Sequence, residues 1–145
     1  MLEQDITEKR KERHKITQED FTPPEIVSLL CNGSEELFTD FSKTVCDPCC
    51  GIGNIILFIL RKRFGNCKTQ SDCEHAIESV YGTELMDDNT EECKERIKEL
   101  IKEFNFEITD TINNIINTNI VCTDTFKWDY ENWCHIKEPK CEALF

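Results

Sequence analysis

Apolar runs long enough to cross a bilayer are missing from this 145-residue chain. The longest apolar stretch, Ile55-Ile56-Leu57-Phe58-Ile59-Leu60, falls far short of the ~18 residues a membrane-spanning helix needs. The start, Met1-Leu2-Glu3-Gln4-Asp5, is charged and polar where a secretory signal would be apolar. A membrane partner is therefore not expected, and the chain reads as cytoplasmic. Positive charge is also scarce. There are 17 Lys and Arg against 29 Asp and Glu, a net charge of −12. Acidic chains bind DNA poorly without specific contacts, because phosphate neutralisation needs Lys and Arg. The deficit is uneven. Residues 1–15 carry five Lys/Arg against four acids, and the remainder twelve against twenty-five, or −13. The cluster Lys9-Arg10-Lys11-Glu12-Arg13-His14-Lys15 reads either as a solvated helix face or as an arm that contacts phosphate. Internal repeats and low-complexity segments are absent.

Cysteine, by contrast, is plentiful, at ten residues. Without a secretory signal these are expected to be free thiols in a reducing compartment. Cys46, Cys93 and Cys122 fall at apolar positions and read as small core residues. Zinc is the alternative for Cys46, Cys49 and Cys50, or for Cys67 and Cys73. However, the spacing lacks a second Cys-x-x-Cys or a His pair.

One domain fits this length. Residues 1–18 form a charged N-terminal segment, and 19–145 the folded unit. Phe21-Thr22-Pro23-Pro24 breaks regular structure, with a helix to follow. Thr22 is its suggested cap, a proline its first residue, and Asn32-Gly33 its end. Lys43 to Cys46 is a short strand. Asn54 to about Phe64 is a buried helix ending at Gly65-Asn66. Cys67 to Glu74 reads as a polar loop, and Ser79 to Thr83 as a second strand. From Asp87 an amphipathic helix places Cys93, Ile97, Leu100, Ile101 and Phe104 on one face. Phe106 to Asn119 is ambiguous, with Ile112, Ile115 and Ile116 on one possible helical face. Ile120 to Cys122 is a third strand, and 132–136 at best a short fourth. Strand and helix alternate, which implies an α/β fold with a parallel sheet and crossover helices.

The stretch Val45-Cys46-Asp47-Pro48-Cys49-Cys50-Gly51-Ile52-Gly53-Asn54 joins the first strand to the buried helix. Its glycines permit positive φ and close approach of a ligand to the backbone, and the helix start offers unpaired N–H groups. A phosphate loop would carry Gly-x-x-x-x-Gly-Lys-Ser/Thr. This loop has no such lysine and opens with Asp47. A dinucleotide loop wants a third glycine where Ile56 stands, and ~20 residues to the strand-2 acid rather than the ~30 found. Ligands in parallel sheets bind at the carboxyl ends of the strands, where Asp47, Glu84 and Asp124 fall. Taken singly, Asp47-Pro48 is a turn, Glu84 a solvated acid, Asp124 an Asp turn or helix cap, and Phe126 a core residue.

Taken together, Thr22-Pro23-Pro24, Asp47-Pro48-Cys49-Cys50-Gly51-Ile52-Gly53, Tyr81-Gly82-Thr83-Glu84 and Val121-Cys122-Thr123-Asp124 occur in a telling order. Over residues 16–130 the chain resembles the cofactor half of N6-adenine DNA methyltransferases of restriction–modification systems and phages. That resemblance implies a Rossmann-like methyltransferase fold, S-adenosylmethionine as cofactor, DNA as partner, and a bacterial or phage-infected cell as setting. It implies that Thr22 and Pro23 close over the methionine end, and that Asp47, Pro48, Gly51 and Gly53 form the loop beneath it. Glu84 would accept from the ribose diol, Asp124 from the adenine amine, and Phe126 would stack on the ring. The family's Asn/Asp-Pro-Pro-Tyr segment, which holds the flipped target base, is missing. Glu138-Pro139 is the nearest approach. The catalytic residues therefore stay unassigned, and the fold is expected to stop after strand 3 or 4. A truncated, split or degenerate methyltransferase follows, with a complementing subunit as possible partner. The alternatives are a non-catalytic module that regulates restriction–modification, and a methyltransferase acting on RNA or protein.

Overall fold

A computed structural model describes residues 22–137. The basic cluster at 9–15 and the Glu138-Pro139 window lie outside these residues. The chain runs through α1 (Pro24–Leu30), α2 (Glu36–Thr39), β1 (Val45–Asp47), α3 (Asn54–Phe64) and α4 (Gln70–Glu78). It continues through β2 (Val80–Glu84), α5 (Asp87–Glu103), α6 (Asp110–Asn119) and β3 (Ile120–Cys122). A 3-10 turn (Thr125–Lys127) then leads to β4 (Trp128–Asp129) and β5 (Cys134–His135).

Strands β1, β2 and β3 form one parallel sheet in that order. Both crossovers move the chain the same way along the sheet, and right-handed crossovers then put their helices on one face. Val80 and Ile120 turn to that face. There one buried cluster joins Ile56, Leu60 and Phe64 of α3, Cys73, Ala76 and Ile77 of α4, Cys93, Ile97, Leu100 and Ile101 of α5, and Ile112 and Ile116 of α6. A smaller cluster of Val27, Cys31 and Ile59 seats α1 against the back of α3. The architecture is a mixed α/β sheet with flanking helices, compatible with a Rossmann-like fold.

Several sequence expectations need correction. Residues 67–74 are not a polar loop, because α4 begins at Gln70. Its start is a reciprocal cap. Thr69 accepts from the Asp72 N–H, and the Asp72 carboxylate accepts from the Thr69 N–H at 2.9 Å. This is the capping box. It stabilises a helix whose buried residues are only Cys73, Ala76 and Ile77. Thr22 does not cap α1. Pro23 holds the cap position, without a side-chain bond. The strand read at Lys43–Cys46 lies at Val45–Asp47. The proposed fourth strand does not extend the sheet. It is half of an antiparallel hairpin, in which Trp128 pairs with His135 and Asp129 with Cys134. Cys46 and Cys122 are exposed rather than core. Cys46 sits opposite Tyr81, on the face turned away from the helices, and Cys122 is the last residue of β3. Cys93 is fully buried, as its helical spacing implied. None of the described helices is long and apolar enough to cross a membrane.

Candidate functional site

The site builds outward from the β1–α3 loop. Asp47 ends β1, and its Oδ1 accepts from the Cys49 N–H at 3.2 Å, so the loop opens with an Asp turn. Gly51 and Gly53 take φ of 58° and 90°, the left-handed region. Two bonds tie the loop to β2. The Cys50 N–H donates to the Thr83 carbonyl at 2.9 Å, and the Thr83 hydroxyl donates to the Pro48 carbonyl at 2.7 Å. Arg96 on α5 holds the far side, with Nη1 donating to the Ile52 carbonyl and to Asn54 Oδ1.

Thr22 reaches this loop although it caps nothing. Its carbonyl accepts from Asn54 Nδ2 at 2.8 Å. With Asp47, Gly51 and Asn54 it lines a niche of about 20 Å³. Pro23 orders the start of α1, its carbonyl accepting from the N–H groups of Ile26 and Val27. Glu84 ends β2, and its Oε1 accepts from the Met86 N–H at 3.2 Å. Asp124 lies two residues past β3 and caps the 3-10 turn by accepting from the Phe126 N–H at 2.9 Å. Phe126 is 88% exposed and belongs to no core.

The three acids share an edge but not a level. Asp47 lies opposite Gly82, and Glu84 opposite Cys122. Glu84 therefore lies two residues, a step of ~6.6 Å, further along the sheet than Asp47, and Asp124 follows two residues after Cys122, past the end of β3. A ligand that touched all three would lie obliquely and be extended.

The charge at this edge is negative. Burial pushes the Asp47 carboxyl above its ordinary range, and the Cys49 N–H only partly offsets it. Cys49 is raised by burial and then by the Asp47 and Glu84 carboxylates. Contact with Cys93, followed by burial, keeps Cys50 protonated. Among the described residues nine cysteines are free, and no group of three His, Cys, Asp or Glu is placed to hold a metal.

Asp47 gives a prediction with a definite sign. Its folded-state pKa is raised, so ionisation costs stability at neutral pH, and the cost fades as pH falls through that raised value. Asp47→Asn keeps an oxygen for the Cys49 N–H and removes the charge. It should melt at higher temperature than wild type at pH 7, with the gap closing toward about pH 4. Thermal melts at the two pH values check this. A variant less stable at both would show that a further donor or cation compensates the carboxylate.

Sequence reasoning passed over three residues at this site. Gly82 is one. A Cβ there would stand 2.7 Å from Ile56 Cδ1 and 3.0 Å from Cys50 Sγ, so its absence lets loop and helix settle onto the sheet. A glycine inside a strand is the available signal. Thr83, fully buried, is the second. It meets the Tyr130 hydroxyl at 3.0 Å, which also bonds the Thr125 hydroxyl. Arg96 is the third, and its helical position carries no signal in sequence.

Behind Pro48, on the face away from the helices, lies a cleft of about 700 Å³. Thr44, Cys46, Tyr81, Tyr130, Glu131 and Trp133 line it together with Pro48. Compared with known proteins, the chain matches no family model, no curated protein and no solved structure.

Proposed function

We propose that the chain binds S-adenosylmethionine along the carboxyl edge of its parallel sheet, as the cofactor half of an N6-adenine DNA methyltransferase. The observation that carries this reading is the loop that turns on Gly51 and Gly53 beside two carboxylates. Asp47 and Glu84 both bear electrostatically on Cys49 and Cys50. This suits a ligand with an amine and a sulfonium and no phosphate. The oblique stagger of Asp47, Glu84 and Asp124 suits an extended one. In this reading Thr22 and Pro23 flank the methionine end, Pro48 shapes the loop, and Glu84 accepts from the ribose diol. Asp124 accepts from the adenine amine, and Phe126, exposed beside it, covers the ring. The niche at Thr22, Asp47 and Gly51 is far smaller than such a ligand, so binding along the open edge or a shift of the segment before α1 goes with it.

Binding without transfer is the form of the proposal that fits this sequence. Methyl transfer to an adenine amine needs acceptors and an aromatic face to aim a weakly nucleophilic nitrogen. Positioning of this kind supplies much of the rate. The 145 residues hold no Asn/Asp-Pro-Pro-aromatic segment. DNA contact and an Asn/Asp-Pro-Pro-aromatic segment would then come from outside these 145 residues. The rival is a non-catalytic module that binds the cofactor or a methyltransferase partner and regulates restriction–modification.

Calorimetry with S-adenosylmethionine and its demethylated product tests the core of the proposal. Both should bind. Glu84→Ala should weaken binding at least tenfold, since a hydrogen bond to a charged group is worth ~1.5–3 kcal/mol. The absence of heat and of any thermal shift at millimolar ligand would end it. A second expectation concerns transfer. Pure protein with DNA and tritiated cofactor should incorporate no methyl groups above background. Incorporation that disappears in Asp47→Ala would mean that the chain carries a transfer site of its own.

A further inference from the structure

We propose that the cleft behind Pro48 is a binding site for an organic cation, an alkylated or quaternary ammonium group. It adjoins the cofactor loop through Pro48, but its argument does not rest on the cofactor reading.

Aromatic type is the first observation. The chain has two tyrosines and two tryptophans, and all four gather here. Tyr81 and Trp133 meet at 4.7 Å, Tyr130 and Trp133 at 6.0 Å, and Trp128 and Trp133 at 5.3 Å, each pair edge to face. Phenylalanines form the ring contacts elsewhere, Phe38 with Phe58 and Phe64 with Phe104 and Phe106. Rings with a polar tip collect where one end is apolar and the other wet.

Charge is the second observation. Glu131 is the one ionised group at the wall; among the described residues the others are Thr44, Cys46, Pro48, Tyr81, Tyr130 and Trp133. The Trp133 indole N–H is committed to the Thr118 carbonyl, and the Tyr130 hydroxyl to Thr83 and Thr125. Among the described lining residues an anion would find no cationic partner. A cation finds a lining of electron-rich aromatic rings with a carboxylate-bearing residue, the combination that recognises quaternary ammonium groups.

Backbone conformation is the third. Trp133 holds φ of 52°, unusual for a bulky side chain, and such outliers gather at ligand clamps. The volume, about 700 Å³, suits a small molecule or the end of a side chain.

Choline is the probe, read by indole fluorescence, because both tryptophans belong to the cluster. Choline should give a saturable change and bind at least tenfold more tightly than its uncharged isostere 3,3-dimethyl-1-butanol. Glu131→Gln should weaken choline at least fivefold. Glu131 is exposed, so this variant should fold, and an unchanged far-ultraviolet spectrum verifies that. Adenine should not compete. Equal affinity for choline and the alcohol would make the cleft merely apolar. Competition by adenine would make it a site for flat neutral rings, and no saturation at tens of millimolar would make it no site at all. Each of these three results overturns the proposal.

Discussion

Arg63→Met should lower stability by about 4 kcal/mol, and the melting temperature by about 10 °C or more. Arg63 lies in the last turn of α3 and is fully buried. Nε donates to the Leu37 carbonyl at 2.7 Å and Nη2 to the Lys43 carbonyl at 2.8 Å. Nη1 donates to the Ala76 carbonyl at 2.8 Å and the Ser79 hydroxyl at 2.7 Å. The guanidinium also lies 5.5 Å from the Phe41 ring centre. Burial pulls its pKa down, but a guanidinium starts so high that it stays charged. One side chain thus ties together α2, the approach to β1, α4 and the approach to β2. Methionine fills most of the volume and leaves four acceptors without their donor. Bonds to a charged group are worth ~1.5–3 kcal/mol each, and the total is less than their sum because contributions within one hydrogen-bond network do not add. Arg63→Lys should also lose most of this, since an ammonium cannot span four acceptors in a fork. Denaturant unfolding measures it, and a loss under about 1 kcal/mol would remove Arg63 from this role.

Gly53→Ala should cost about 3 kcal/mol in folding. A non-glycine residue in the left-handed region costs ~1–2 kcal/mol, and Gly53 sits there at φ 90° as the residue before α3. Its added Cβ would also stand 2.6 Å from the Cys93 sulfur. Overpacking of this kind costs ~1–3 kcal/mol. From sequence alone, this glycine reads as room for a ligand. The structure gives it a second duty, letting the start of α3 lie against α5. Cys93→Ala in the same chain should recover the packing part and leave the backbone part, a coupling that a double-mutant cycle reads. Equal costs with and without Cys93 would show that the thiol moves aside freely. Glu84→Ala is the cleaner probe of the ligand, because Glu84 contributes no core contact.

The outcome differs by element for physical reasons. Helix α3 was legible at both ends, because a dense apolar run between two turn signals leaves little choice. The same holds for α5, whose apolar residues recur at helical spacing. Helix α4 was not legible by hydrophobic period. Three small or apolar residues are enough to anchor it, and only the Thr69–Asp72 pair marks its start. The β4–β5 hairpin has two-residue strands, too short for any period to show.

Sequence by itself determined the alternation of strand and helix, the glycine turn between β1 and α3, and the placing of Asp47 and Glu84 at strand ends with Asp124 just past a third. These are local properties, set by residue order and by the two backbone periods. Tertiary structure decided which residues meet. It made Arg63, one of three consecutive cations, the buried hub, because four carbonyl and hydroxyl oxygens from distant segments converge there. It exposed Cys46, because the helices cover the opposite face of the sheet. It brought Tyr81 to Tyr130 and Trp133, some fifty residues apart in sequence, because the hairpin folds back over that uncovered face. Contacts between segments far apart depend on how the elements pack, and that is not written in the spacing of any one of them.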